Sequence, residues 1–139
     1  MKKLGLDIGT VRIGIASSDP TNIIASVHSV YRRKTLKEDA RFIANLAREL
    51  NVDEIVIGKP LKLDGSEGQS VVMVNEFSDA LKSETSLPIA FQDERLSTVS
   101  AERMLIEGSV RRKERKDYID AVSASIILQN YIDKNKNYR

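Results

Sequence analysis

Residues 3–17, KLGLDIGTVRIGIAS, decide the fold. Leu4, Leu6 and Ile8 alternate with Gly5, Asp7 and Gly9 over residues 3–9, the period of two expected of a strand whose faces meet different surroundings. After a short Thr10-Val11 connection, RIGIAS at 12–17 resumes the alternation, so the spacing predicts a β-hairpin. Residues 24–31, IASVHSVY, supply a third strand. At Leu36 the period changes: Leu36, Ala40, Ile43, Ala47 and Leu50 fall at helical spacing with charged residues between them.

Further along, EIVIG at 54–58 reads as a compact apolar strand, followed by the turn-rich loop KPLKLDGSEG. Ser66 and Gln69 have capping-box spacing ahead of Val71, Val74, Phe77 and Leu81, which predicts a helix beginning there. After Pro88, IAF forms a short strand that ends at Gln92, Asp93, Glu94 and Arg95. Thr98 is placed to cap a third helix running to about Gly108, 109–116 reads as a loop, and 117–133 as the last helix. Parallel strands need helical crossovers, so the order βββαβαβα predicts an α/β fold. Its five-stranded mixed sheet is antiparallel through strands 1–3, parallel for strands 4 and 5, and flanked by helices. A length of 139 residues, without repeats or linkers, predicts one domain over 1–139.

Composition narrows the function. With 41% hydrophobic and 30% charged residues the chain reads as globular rather than disordered. The absence of cysteine removes disulfides, thiolate nucleophiles and Cys-based zinc sites, and suits a reducing compartment. The start MKKLGLDIG is broken too early by Asp7 to act as a signal peptide, and no run approaches the roughly 18 apolar residues of a membrane span. The expected address is the cytoplasm, with no membrane partner. Aromatics at 5% argue against a platform for stacking unpaired bases. A net charge of +2 says little, but RRKERK at 111–116 and the group Arg32, Arg33, Lys34 and Lys37 concentrate basic charge. Each is either solvated surface or a phosphate-binding patch.

Three acids fall where the fold does not ask for them. Asp7 lies within a central strand, where Asp is disfavoured; either it caps the hairpin turn or pairs with Arg12, or it serves chemistry. Gly5 and Gly9 on its face read as clearing space for a metal and a phosphate. Asp120 shares a helical stripe with Ala124, Ile127, Leu128 and Tyr131, which turns it toward the sheet near the helix start, with Asp117 as N-cap. A purely structural carboxylate at the positive end of the helix is the alternative. Glu94 follows a strand end, and alternation sets it on the face of Ala90 and Gln92, whereas Asp93 points the other way and stays open as the rival. Three carboxylates from separate elements specify a hard-cation site for Mg2+ or Mn2+. His28 has no partner motif and reads as an ordinary strand residue.

Four segments carry a resemblance: LGLDIGTVRIGIASSD at 4–19, GKPLKLDGSEG at 58–68, DERLSTVSAERML at 93–105 and DAVSASIILQNYI at 120–132. In this order and spacing they resemble the YqgF family, the pre-16S ribosomal RNA nucleases also described as Holliday-junction-resolvase-like. The resemblance implies an RNase H-like fold and metal-dependent phosphodiester cleavage, with Asp7, Glu94 and Asp120 as the catalytic and metal-binding acids. Asp7 would bridge two ions, and Glu94 and Asp120 would each complete one side. Arg12 matches the family's first motif and Asp64-Gly65 its central loop. Arg12, Arg95, Arg111, Arg112 and Lys113 would grip neighbouring phosphates. Ser97 and Ser123 depart from the usual Thr and Ala without touching the acids. Processing of the 5′ end of pre-16S rRNA, on a ribosomal precursor particle, comes from the resemblance alone; branched DNA is the other substrate it implies.

Two rivals remain. The DIGTVRIG hairpin also resembles the phosphate-binding hairpin of actin-like kinases and ATPases, but those bind ATP between two such domains and this chain supplies one. A non-catalytic RNA-binding or ribosome-assembly factor would gain affinity by losing acids near phosphates, and all three are present.

Overall fold

The computed structural model describes residues 2–60, 68–94 and 112–136, with the backbone alone for 112–118 and 136. Strands β1 (Lys2–Ile8), β2 (Arg12–Ser18), β3 (Ala25–Arg32), β4 (Val52–Lys59) and β5 (Ile89–Asp93) form one sheet in the order β3-β2-β1-β4-β5. The pairs β1/β2 and β2/β3 are antiparallel, while β1/β4 and β4/β5 are parallel, as the spacing of the sequence predicts. Helices α1 (Leu36–Glu49), α2 (Gln69–Lys82) and α3 (Arg112–Lys136) cover it.

Alternation along the strands builds two cores. Leu4, Leu6, Ile8, Ile13 and Ile15 face Ile43, Ala44 and Ala47 of α1 and Val74, Phe77 and Leu81 of α2. On the other side Ala16 and Val56 meet Ala124, Ile127, Leu128 and Ile132 of α3. That second layer is thin because glycines stand where α3 crosses. A Cβ on Gly5 would lie 2.7 Å from the Leu128 Cβ, and one on Gly14 would strike the Asp120 carbonyl oxygen. The expectation that Gly5 and Gly9 make room for a metal is therefore corrected. Gly5 makes room for α3, and Gly9 for the Arg12 carbonyl, 2.8 Å from where its Cβ would sit.

Helix ends differ from expectation in informative ways. Thr35 caps α1, its Oγ1 accepting from the Glu38 amide at 3.1 Å while its hydroxyl donates to Glu38 Oε1 at 3.2 Å. The box expected at Ser66 and Gln69 does not open α2. Gly68, in extended conformation, occupies its N-cap without a side-chain bond, and Ser66 lies outside the described residues. The last helix starts at Arg112, not 117, so 112–116 is helix rather than loop. Lys, Arg and Glu are strong helix formers and no Gly or Pro interrupts them; charge alone made the segment read as a loop. The expected helix from Thr98 to Gly108 lies outside the described residues. No helix among the described residues is long and apolar enough to cross a membrane.

Asp19 closes the β2–β3 turn, accepting from the amides of Ile23 at 2.8 Å and Ile24 at 2.7 Å and from Thr21. The Ile24 amide, then the Thr21 hydroxyl and the Ile23 amide, hold its carboxyl well below the usual carboxylate range.

Candidate active site

Strands β1, β4 and β5 run in parallel and end along one edge of the sheet, the usual place for chemistry in open α/β folds. Asp7, paired with Gly14, falls one residue before the end of β1. Its neighbours Leu6 and Ile8 point into the α1/α2 core, so Asp7 faces the α3 side. On β5, Ile89 packs toward α1 and α2, which assigns Phe91 and Asp93 to that side and Ala90, Gln92 and Glu94 to the other. The Glu94 amide donates to the Lys59 carbonyl at 3.1 Å, so the ladder and its alternation run one residue past β5. A Cβ on Gly58 would lie 2.9 Å from Glu94 Oε2, which sets that carboxylate over β4 on the side of Asp7.

Asp120 arrives from α3. Its Oδ2 accepts from Arg12 Nε at 2.9 Å, an ion pair in which each side chain is a fifth to a quarter exposed. Arg12 thus pairs with the helix acid, and its backbone carbonyl also receives the Gly9 amide at 2.8 Å. Because α3 begins eight residues before Asp120, Asp117 lies inside the helix and cannot be its N-cap. Asp120 is also beyond the first turn, where the helix dipole would favour a carboxylate.

Asp7, Glu94 and Asp120 line one cavity of about 250 Å³, shared with Ile8, Gly9 and Thr10 of the hairpin, Pro60, and Ser70 and Met73 of α2. Two roomier clefts, of about 530 and 490 Å³, open elsewhere, lined by Lys3, Asp53 and Glu54 in one case and by Arg48 and Glu84 in the other. Size does not single out the smaller one; the convergence of acids from β1, the end of β5 and α3 does. These donors are hard oxygens and fit Mg2+ or Mn2+ in kind. Among the described residues no three His, Cys, Asp or Glu side chains already stand as a ligand cluster. Arg12 engages Oδ2 of Asp120, and the second oxygen of that carboxylate is a further donor for a cation.

The remaining expected site residues divide. Arg95 and Arg111 lie outside the described residues, and Arg112 and Lys113 open α3 with their side chains undescribed. The second basic group splits as well: Arg32, Lys34 and Lys37 are exposed, but Arg33 is turned inward onto Asp39. His28 is exposed and bonded through Nδ1 to Ser29 Oγ at 2.8 Å. Sequence reasoning missed Thr10, Ser70 and Met73 in the lining, and also the Arg33–Asp39 pair. Asp39 stands four residues before Ile43, on the inward stripe of α1, and that position was the available signal.

Compared with solved structures, the chain has the RNase H-like fold of the RuvC-type resolvases. It matches Thermus thermophilus RuvC in complex with Holliday junction substrate at a TM-score of 0.62 and 11% identity, over 99% of this chain and 96% of that one. Against the fowlpox virus resolvase in complex with Holliday junction DNA the TM-score is 0.55 at 12% identity, over 97% and 99%. More narrowly, the family model described as "RuvX: Holliday junction resolvase" matches residues 1–134, and the chain belongs to that family. A relative from Syntrophomonas wolfei is 45% identical over 96% of this chain and 94% of its own, and one from Halothermothrix orenii is 46% identical over 96% and 95%. Both carry the name "Putative pre-16S rRNA nuclease".

Proposed function

We propose that this chain is a single-domain, divalent-metal-dependent endonuclease of the cytoplasm that cleaves phosphodiester bonds in structured nucleic acid. Its favoured substrate is the 5′ end of pre-16S rRNA within a ribosomal precursor particle. The observation that carries this is the convergence of Asp7, Glu94 and Asp120 on one cavity at the carboxyl ends of the parallel strands. Names of relatives that share 45–46% of its residues favour the RNA substrate.

Bound Mg2+ or Mn2+ would supply charge neutralisation and activation of the attacking water at the scissile phosphate. The chain's own residues do the rest. Asp7 and Glu94, carried at the ends of β1 and β5, would offer carboxylate oxygens to the cation. Arg12 neutralises Asp120 and stands beside the cavity, where a guanidinium also suits a phosphate oxygen. The amino end of α2, with Ser70 in the lining, directs the positive end of its dipole at the same space and carries no acid in its first turn. Arg95, Arg111, Arg112 and Lys113 extend the phosphate grip.

Branched DNA is the second reading, favoured by the family's description and by the junction-bound resolvases of like fold. The test is incubation of the purified protein with a 5′-extended 16S rRNA precursor and with a four-way DNA junction, each with Mg2+, with Mn2+ or with chelator. Cleavage of the RNA alone, dependent on metal, is expected. Cleavage of the junction alone assigns the chain to DNA, and tight binding without cleavage of either makes it a binding factor.

A further inference from the structure

Arg33 reads in sequence as one of four clustered cations, either solvated surface or a phosphate-binding patch, and the structure gives it different work. It sits in the β3–α1 connection with its side chain 12% exposed. Its Nε donates to Asp39 Oδ2 at 2.9 Å, and its Nη1 donates to the Gly9 carbonyl at 2.9 Å. Asp39 is 1% exposed and also receives the Lys34 amide at 2.8 Å and the Tyr31 hydroxyl. The Arg33 amide itself donates to the Val11 carbonyl at 2.8 Å. One residue therefore holds both sides of the β1–β2 turn, with a buried carboxylate fixing its fork.

That turn is a wall of the cavity. The β1/β2 ladder closes at Ile8 and Ile13, and beyond it Gly9 and Thr10 line the space between Asp7 and α2. We infer that Arg33, oriented by Asp39, is a positioning residue: it acts through the Gly9 carbonyl to hold the Gly9–Thr10 rim against the site of phosphate attack, and it makes no contact with phosphate. The inference rests on the nuclease assignment above. A planar guanidinium can serve a carboxylate and a carbonyl at once in fixed directions, which a single ammonium cannot. Displacing a wall by about an ångström is enough to cost on the order of 100-fold in turnover.

The test compares Arg33→Lys, Arg33→Ala and Asp39→Asn with the wild type in Mn2+-dependent cleavage of the 16S precursor, well below each variant's melting temperature. All three should lose about 10- to 100-fold in kcat with KM and salt dependence unchanged. Ethylguanidinium should restore part of the loss in Arg33→Ala only. Asp39→Asn is the sharpest arm, because it frees Arg33 and raises the net positive charge. A phosphate ligand would then bind RNA more tightly, whereas a positioning residue loses turnover. Normal kcat in Arg33→Lys, or a raised KM with a flattened salt dependence in Arg33→Ala, overturns the inference. If the wild type cleaves nothing, the nuclease assignment falls separately. Hydrogen exchange then decides: faster exchange at the Gly9 and Thr10 amides in Arg33→Lys supports the strut, and unchanged exchange removes it.

Discussion

Asp93 and Glu94 are adjacent acids with opposite assignments, and the register of β5 separates them. Glu94 lies over Gly58 in the cavity, while Asp93 shares the side of Phe91 and pairs in register with Lys59. Glu94→Gln should abolish cleavage with little change in melting temperature, whereas Asp93→Asn should keep cleavage and cost about 1 kcal/mol of stability in a denaturant titration. The alternation was legible from Ala90 and Gln92 alone; the one-residue extension of the ladder through Lys59 was not, because it depends on the neighbouring strand. Tyr31 shows a similar limit. Burial, and then its bond to Asp39, push its hydroxyl up to about 12. A raised folded value favours the neutral ring, so this contribution to stability is complete below the unfolded value of about 10 and is lost as pH rises through about 12. Tyrosinate absorbance should show a late component that Tyr31→Phe reduces, the rest belonging to Tyr131, whose hydroxyl burial and Glu54 also push up, and the melting temperature of the wild type should fall more steeply than that of the variant between those pH values.

At the scale of elements, α3 supplies Asp120 to the site, and its start is the boundary the sequence described least well. Its apolar stripe Ala124, Ile127 and Leu128 was visible as periodicity, but its basic beginning carries no such stripe, so the start was placed five residues late. How closely it lies on the sheet was hidden for another reason: glycines in strands read equally as room for a ligand or room for a helix. The contacts decide between these, and they predict a graded pair of substitutions. Gly14→Ala sets a methyl against the Asp120 backbone, which cannot yield without moving α3, and should cost about 1–3 kcal/mol of stability by overpacking. Gly58→Ala meets the ends of two flexible side chains, Ile127 Cδ1 at 2.6 Å and Glu94 Oε2 at 2.9 Å. It should cost less stability in the same urea titration yet still lower kcat, because Glu94 is what moves.

For the whole molecule, the hairpin, the parallel crossovers and the order of elements along the chain were readable because period-two and period-3.6 patterns are imposed by burial on either side of one sheet, whereas the spatial order β3-β2-β1-β4-β5 was not. The convergence of three acids was readable only as a coincidence of types, since no local pattern records which strand ends share an edge. Substrate grip is a property of this larger scale. If the segment at the head of α3 tracks phosphates, replacing Arg111, Arg112 and Lys113 with Ala should weaken binding to RNA and DNA about equally. The same change should reduce the slope of log affinity against log salt by up to about 0.9 per lost duplex contact. Unchanged affinity at low salt makes the segment solvated surface.

Asp7 is the acid on which the functional assignment turns. The most direct measurement is 5′-end mapping of a 16S rRNA precursor incubated with Mn2+ and either wild-type protein or Asp7→Asn, both shown folded by their melting curves. Asp7→Asn keeps the shape and removes the ligand charge, so a discrete metal-dependent cut by the wild type should vanish in the variant while its melting temperature is held or rises, as repulsion between carboxylates is relieved. The same cut at the same rate by folded Asp7→Asn would contradict a carboxylate-centred nuclease.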